Sequence, residues 1–221
     1  MLNRQERYNT IESILKRTST GRPTVDHFYD ASVGECHAAY LKSLGLLPQH
    51  RFFDLGCGYG RTAIALLNYL DRGNYFGCDL SDERIRLANA YSRKMNLEDR
   101  KPSFFVARTD NGLSYLEQKS FDFVWARAVF AHMPLAQIEE LLISVKGILK
   151  PGGVFVFDHN ITPDPDGSSC ENIKDFYFSP AAVDELLRKH GYGFETKNVP
   201  PEILPRYDEQ RCRMMKATAV A

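Results

Sequence analysis

The sequence predicts an α/β fold with a mostly parallel sheet covered by helices on both faces, and three observations support this prediction. Apolar strand-like runs alternate with helical periodicity from Phe52 onward, which is the pattern of a parallel sheet covered by helices. Glycines follow the first apolar run at Gly56, Gly58 and Gly60, and glycine accepts the positive φ of a tight strand-to-helix turn. A Pro-Gly-Gly turn at 151–153 precedes a later apolar run, where glycine permits a reversed φ.

The elements follow in chain order. Apolar spacing predicts a helix over 4–16, and a capping pattern at 32–35 predicts a second helix that runs toward Gly45. Strands are expected at 51–54, 74–79, 103–107, 121–126, 153–158, 192–198 and 211–219. Helices are expected between and after them at 61–70, 82–95, 135–149 and 180–190. We expect one domain over 1–221, in which 1–48 form a helical cap segment and 49–221 form the core.

Composition limits the class of partner. Lys plus Arg and Asp plus Glu each total 28, so the charge balance predicts neither a nucleic acid nor an anionic membrane as partner. The five Cys are odd in number and contain no C-x-x-C pair, which favours reduced thiols in the cytoplasm. No apolar run approaches the ~20 residues of a membrane span, and no cluster at ligand spacing predicts a metal site. The oligomeric state is not indicated.

The glycine turn departs from the dinucleotide-binding pattern G-x-G-x-x-G, because position 61 is Arg and the third glycine falls at Gly60. Asp54 before the turn would repel a pyrophosphate and suits a cationic amine. Asp54, Gly56, Gly58 and Gly60 match D/E-x-G-x-G-x-G, and with this motif the chain resembles the class I S-adenosylmethionine-dependent methyltransferases. The resemblance implies a Rossmann-like seven-stranded sheet with a final hairpin-like pair, and S-adenosylmethionine as the cofactor.

Several residues are cofactor-binding candidates besides those of the motif and Cys57 within the turn. Asp79 ends the second strand, where a carboxylate can accept hydrogen bonds from both ribose hydroxyls; alternatively, Asp79 and Ser81 only start the next helix. Leu80 is the neighbouring candidate. The resemblance implies that Asp110 accepts the adenine amino group with Asn111 beside it, although Asp110-Asn111-Gly112 is also good turn chemistry.

The fourth strand end supplies further candidates. The resemblance implies that Ala126 and Arg127 face the methionine part of the cofactor, and Arg127 can pair with its carboxylate. His132 is expected near the methyl group and is a catalytic candidate, because imidazole can take a proton near neutral pH. Relatives often carry His at this position without using it as a base, so a packing role is the alternative.

The acceptor is expected beside the fifth strand. Asp158, His159 and Asn160 emerge there from an apolar run, so Asp158 and Asn160 are substrate-binding candidates and His159 is a second catalytic candidate. The alternative is that they cap the strand and orient the loop. Tyr29 in the N-terminal segment and Tyr177 in the loop over 161–179 are predicted to line the acceptor pocket.

These assignments favour methyl transfer to N or O of a small molecule. A protein or RNA methyltransferase and a non-catalytic cofactor-binding regulatory module are the alternatives, and a nicotinamide-dependent oxidoreductase is disfavoured by Asp54 and Arg61. No Lys/Arg run with interleaved aromatics supports RNA binding. The N/D-P-P-Y/F motif of amino-group nucleic-acid methyltransferases is also absent, since the sequence reads Arg127-Ala128-Val129-Phe130 at that place.

Overall fold

The computed structural model describes residues 31–107, 112–162, 168–170, 175–200 and 211–220. The helix predicted over 4–16 lies outside these ranges. The candidate site residues Tyr29, Asp110 and Asn111 also lie outside them.

The apolar runs form a seven-stranded sheet in the order β3-β2-β1-β4-β5-β9-β8. Its strands are β1 (Phe52–Leu55), β2 (Tyr75–Asp79), β3 (Ser103–Val106), β4 (Phe121–Ala126), β5 (Leu149–Asn160), β8 (Tyr192–Lys197) and β9 (Cys212–Ala219). The first five strands are parallel, and β9 runs antiparallel between β5 and β8. This topology confirms the Rossmann-like sheet and its final hairpin-like pair.

Helices cover both faces of the sheet, as predicted. They are α1 (Ala31–Ser43), α2 (Arg61–Leu67), α3 (Asp82–Lys94), α4 (Leu135–Ile148) and α5 (Pro180–Lys189). Residues of α1 and α2 share one core cluster with Trp125 of β4, whereas α4 and α5 pack against Phe155 and Phe157 of β5 on the other face. Ser81 and Ser179 cap α3 and α5 by accepting from backbone N–H groups.

Two boundaries differ from the prediction by three residues or more, for local reasons. Helix α2 ends at Leu67 rather than at 70, and the Arg100 side chain donates to the carbonyls of Leu67 and Leu70 at that end. Strand β5 begins at Leu149 rather than at 153, because the strand continues through the Pro-Gly-Gly turn. Gly152 has φ +77° there, which confirms the reversed φ expected of the turn.

The loop predicted over 161–179 contains a small antiparallel pair, β6 (Ser168–Cys170) and β7 (Phe176–Phe178). Two three-residue strands are too short to give an alternation that sequence reading can detect. Phe178 of β7 is buried in the cluster beneath α4 and α5. The loop is therefore attached to the core through this strand.

Helix α1 is packed into the core although the sequence analysis assigned it to a cap. Tyr40 and Leu41 are buried with Trp125. A Cβ on Gly34 would lie 2.3 Å from the Arg61 carbonyl oxygen, so α1 crosses the first turn of α2 at backbone contact. Among the described residues, no helix has the length and apolarity needed to cross a membrane.

Candidate active site

The site is built around the glycine turn, residues 56–60, between β1 and α2. Gly56, Gly58 and Gly60 all have positive φ, at +77°, +57° and +80°, as the motif predicts. A Cβ on Gly56 would lie 2.6 Å from Val129 Cγ2, whereas a Cβ on Gly58 would meet nothing within 4 Å. Glycine is therefore needed at 56 for close packing, and the space beside Gly58 is open to a ligand.

Backbone hydrogen bonds fix the glycine turn to the end of β2. Gly56 N–H and Cys57 N–H both donate to the Cys78 carbonyl at 2.8 Å. Cys57 is buried, and burial raises the pKa of its thiol well above the usual value. Cys57 is therefore placed in the turn as a neutral packing residue.

Asp79 joins β2 to the glycine turn. Its Oδ2 accepts from Gly58 N–H at 3.1 Å, and its Oδ1 accepts from Ser81 N–H at 2.9 Å. The Arg84 guanidinium lies 3.7 Å from Oδ2. Leu80 beside it is partly exposed. Asp79 thus fixes the open side of the turn and binds the backbone of Ser81, the residue that caps α3; its role toward the ribose stays a prediction.

Asp54 is buried at the end of β1, with 3% of its surface exposed. Tyr75 Oη donates to its Oδ2 at 2.6 Å, and among the described residues its Oδ1 has no hydrogen-bond partner. Burial raises the pKa of Asp54 to about 7; the Tyr75 hydrogen bond opposes the shift and the nearby Asp79 adds to it. A cationic ligand would favour the ionised carboxylate at this position.

The end of strand β4 forms another side of the site, and it is held by contacts with β5. Ala126 is buried. The next residue, Arg127, forms an ion pair with Asp158 of β5, and Asp158 Oδ1 accepts from Ala128 N–H at 2.6 Å. The two residues that the sequence analysis assigned to the cofactor carboxylate and to the substrate are thus bound to each other. Asp158 is buried, and burial raises its pKa while the Arg127 guanidinium lowers it.

The remaining polar candidates lie around the end of β5. His132 is partly exposed, and its Nδ1 lies 3.6 Å from Asp175 Oδ1. Asn160 Nδ2 donates to the Phe176 carbonyl at 3.1 Å, and the Tyr177 hydroxyl accepts from Arg211 at 3.2 Å. His132 therefore keeps part of its surface exposed, whereas Asn160 connects β5 to β7.

His159 is completely buried. It alternates along β5 with Phe157 and Phe155, so it faces the cluster beneath α4 and α5. Its Nδ1 lies 3.1 Å from the Asn160 carbonyl, and its Nε2 has no hydrogen-bond partner in the part of the chain that the structure describes. Burial lowers the pKa of His159 to about 4, the Asn160 hydrogen bond opposing and Arg213 assisting. This position favours a structural role over the predicted catalytic one.

His37 is a residue at the site that the sequence analysis did not single out. Its Nδ1 lies 2.9 Å from Thr62 Oγ1, and its ring lies edge-on to Trp125 with centroids 5.7 Å apart. Burial, then Arg127, then Arg61 lower its pKa to about 3. The imidazole is therefore neutral, and it lies between the glycine turn and the end of β4. Only the packing of α1 across α2 reveals this placement.

Comparison with known proteins agrees with the motif. Residues 53–155 match the family model described as "Methyltransferase domain". Sterol 24-C-methyltransferase erg6 of Schizosaccharomyces pombe is 33% identical over 134 residues, which are 60% of this chain and 34% of that protein. The tRNA N(3)-methylcytidine methyltransferase Mettl2 of Drosophila melanogaster is 27% identical over 116 residues, 51% of this chain and 35% of that protein. The chain thus spans about a third of the length of these relatives.

The fold is shared with a solved methyltransferase. Magnesium protoporphyrin IX methyltransferase (ChlM) from Synechocystis PCC 6803, crystallised with bound SAM, matches with a TM-score of 0.65 at 18% identity, covering 99% of this chain and 98% of that chain. At this identity the likeness concerns the fold. The family match over 53–155 and the motif from Asp54 to Gly60 concern the same part of the chain, which is therefore similar to methyltransferase domains in both sequence and fold.

Proposed function

We propose that the protein transfers a methyl group from S-adenosylmethionine to a nitrogen or oxygen atom of a small-molecule acceptor. The observation that carries this proposal is the glycine turn with carboxylates on both sides. Asp54 lies beneath the turn, and Asp79 accepts from Gly58 N–H at 3.1 Å. A site with two carboxylates near an open turn suits a cationic adenosyl amino acid better than an anionic dinucleotide.

The residues present fit this cofactor. The missing side chain at Gly58 leaves room beside the turn, since a Cβ there would meet nothing within 4 Å. Asp79 would accept hydrogen bonds from the ribose hydroxyls, and Asp54 Oδ1 would face the ammonium group of the cofactor. Gly56, Cys57, Gly60, Leu80 and Ala126 would contribute surface and shape. Asp110 and Asn111, which the resemblance assigns to adenine, belong to this proposal by sequence alone.

When bound, S-adenosylmethionine supplies a methyl group on a sulfonium, which an in-line nucleophile can displace. The protein must therefore orient the acceptor lone pair, exclude water and accept any proton that the nucleophile loses. We assign these contacts to His132 and to the neutral His37 as part of the proposal. His159, Asp158, Asn160, Tyr177 and Tyr29 remain sequence-based candidates, and the buried positions of His159 and Asp158 favour indirect roles for these two.

A small molecule is proposed as the acceptor because of the charge balance. Lys plus Arg equals Asp plus Glu at 28 each, and this gives no excess positive charge to attract a nucleic-acid backbone. One relative is named for a sterol acceptor and another for a tRNA cytidine. The experiment must therefore include macromolecular acceptors as competing outcomes.

Calorimetric titration with S-adenosylmethionine, S-adenosylhomocysteine and NADH tests the cofactor. We expect the first two to bind with micromolar to sub-millimolar Kd, in the range usual for enzyme ligands, and NADH not to bind. Binding of NADH without binding of S-adenosylmethionine would contradict the proposal.

Incubation with methyl-labelled S-adenosylmethionine then tests the acceptor. Separate reactions receive a low-molecular-weight cell extract, total cell protein and total RNA. We expect label in the small-molecule reaction and its loss in the Asp79→Ala variant. Label confined to RNA or protein would replace the proposed acceptor class, and no label in any reaction from a protein that binds the cofactor would support a non-catalytic module.

A further inference from the structure

The backbone at the end of β4 adopts a conformation that its residue type disfavours. Ala128 has φ +55°. The other described non-glycine residues with positive φ are Asn96, Lys101 and Lys119, which lie in turns between elements. Positive φ is unfavourable for alanine because its Cβ lies too close to the following carbonyl oxygen, and alanine has no polar side chain that could offset this cost. Such strain persists only where the surrounding structure holds it.

Asp158 is the group that holds it. The buried carboxylate accepts from Ala128 N–H at 2.6 Å and pairs with the Arg127 guanidinium. It lies on β5, 30 residues along the chain from Ala128. Two consecutive residues of the β4 end are therefore fixed by one side chain of the neighbouring strand.

The fixed segment packs against the glycine turn. Val129 Cγ2 occupies the place where a Gly56 side chain would be, 2.6 Å from the position of a Cβ. Arg127 is also close enough to His37 for its charge to lower the pKa of that imidazole. A change in the backbone at Ala128 would therefore move the Val129 atoms that contact the turn and the Arg127 charge that acts on His37.

We propose that Asp158 is a positioning residue for cofactor binding, which acts by holding residues 127–129 in the conformation that completes the site beside the glycine turn. This inference rests on the proposed function. It differs from the sequence-based prediction for Asp158, in which the carboxylate contacts the acceptor. A direct acceptor contact would leave the affinity for S-adenosylmethionine unchanged, so the two roles predict different results.

The test measures Kd for S-adenosylmethionine in Asp158→Ala, Ala128→Gly and the double variant, alongside thermal unfolding. We expect Asp158→Ala to weaken binding about tenfold, which corresponds to the loss of a charge-assisted hydrogen bond. Glycine adopts positive φ without a Cβ penalty. The double variant should therefore bind S-adenosylmethionine about threefold more tightly than Asp158→Ala alone. In the wild-type background Ala128→Gly should change Kd less than about twofold.

Asp122 provides a matched control. It lies near the start of β4, at the opposite end of this strand from the site, and its Oδ2 likewise accepts one backbone N–H, from Arg51 at 2.9 Å, while Lys150 lies 2.7 Å from its Oδ1. Asp122→Ala removes a similar pair of contacts far from the turn. We expect it to lower the unfolding temperature and to leave Kd within about twofold of the wild type.

Three results would overturn the inference. They are an Asp158→Ala variant that binds like the wild type, a loss of affinity that Ala128→Gly does not reduce, and an equal loss in Asp122→Ala. If Asp158→Ala does not fold, Ala128→Val replaces it, since a β-branched residue strongly disfavours positive φ; wild-type affinity in that variant would also overturn the inference. Failure of the wild type to bind S-adenosylmethionine would instead contradict the proposed function.

Discussion

The glycine turn and the 127–129 segment both place backbone in the left-handed region beside the site, but they do so by different means. Gly56, Gly58 and Gly60 have φ between +57° and +80° and need no partner for it, because glycine lacks a Cβ. Ala128 has φ +55° and depends on Asp158, 30 residues away. One half of the site therefore takes its shape from local sequence and the other from a long-range contact.

Replacing Asp79 should have the largest effect on cofactor affinity. Asp79→Ala removes the proposed bonds to two ribose hydroxyls and the acceptor of Gly58 N–H. Hydrogen bonds to charged groups contribute about 1.5–3 kcal/mol each, so Kd for S-adenosylmethionine should rise about 100-fold or more. Calorimetric titration measures this change, and circular dichroism checks that the fold persists.

Asp82→Ala is the control for this prediction. Asp82 lies three positions later, exposed in the first turn of α3, and its loss should cost α3 under about 1 kcal/mol of stability. Affinity for the cofactor should not change. An Asp79→Ala protein that binds as tightly as Asp82→Ala would disprove the ribose assignment.

The contact between the two halves is tested at Gly56. Gly56→Ala should lower the free energy of unfolding by about 3 kcal/mol, combining about 1–2 for positive φ with about 1–3 for the clash with Val129. Adding Val129→Ala removes the clash and should recover about 1 kcal/mol. Denaturant titration measures both changes.

Gly73→Ala separates the two causes. Gly73 has φ +84°, and a Cβ there would meet nothing within 4 Å. The variant should therefore lose only about 1–2 kcal/mol, for the backbone conformation. If Gly56→Ala loses no more than Gly73→Ala, the halves are not in close contact at Val129.

In the half of the site built by long-range contacts, the buried His159 should make the stability of the protein sensitive to acid. Its pKa is lowered from 6.5 to about 4 by burial, with Arg213 and Asp184 as the charged groups that act on it. As the pH drops from about 6.5 toward 4, the His159 imidazole binds a proton in the unfolded chain but not in the folded protein. The stability of the folded protein therefore falls over this pH range. Between pH 7 and pH 5 this loss should be about 2 kcal/mol.

His159→Leu should remove that part of the pH dependence, as measured by urea unfolding at both pH values. His37→Leu serves as the comparison, since burial lowers the pKa of His37 as well. This variant should remove a separate part of the pH dependence of stability. Identical pH profiles for the wild type and His159→Leu would show that the imidazole titrates normally in the folded protein.

Asp54 should make cofactor binding depend on pH. Its pKa is raised to about 7, so the ligand-free site holds a proton below that pH. A bound cation favours the ionised form, so affinity should increase about tenfold between pH 5.5 and pH 7.5 with release of a proton. Titrations in buffers of different ionisation enthalpy measure that proton. The Asp54→Asn variant should bind S-adenosylmethionine weakly, and its affinity should not depend on pH in this way. A wild-type affinity that does not change with pH would contradict the proposed contact between Asp54 and the cationic cofactor.

Sequence patterns predicted the sheet well because its signals are local. Five apolar runs, a glycine turn and a Pro-Gly-Gly turn placed the parallel strands within a few residues, and the helix predicted over 180–190 is α5, Pro180–Lys189. Helix α2 proved shorter, since Arg100 binds the carbonyls at its end. The pair β6–β7 was missed because three-residue strands carry no clear periodicity.

The site was predicted as far as local motifs extend. Asp54, Asp79 and the glycines lie together as expected, because they lie at or directly after the carboxyl ends of two neighbouring parallel strands. Sequence spacing did not indicate that Arg127 and Asp158 bind each other, nor that His37 reaches the end of β4 across α2. Both contacts depend on how neighbouring strands and helices are packed, which no single segment encodes.

The position of β9 has a consequence for how the chain acquires this structure. β9 pairs with β5 on one side and with β8 on the other, and Arg213 on it binds Asp184 of α5 at 2.6 Å. During synthesis, the N-terminal part of a chain emerges and begins to fold first, yet β8 has no strand to join until residues 212–219 have left the ribosome. One edge of β5 therefore stays open late in synthesis, and we expect this edge to be where the nascent chain most needs protection from aggregation.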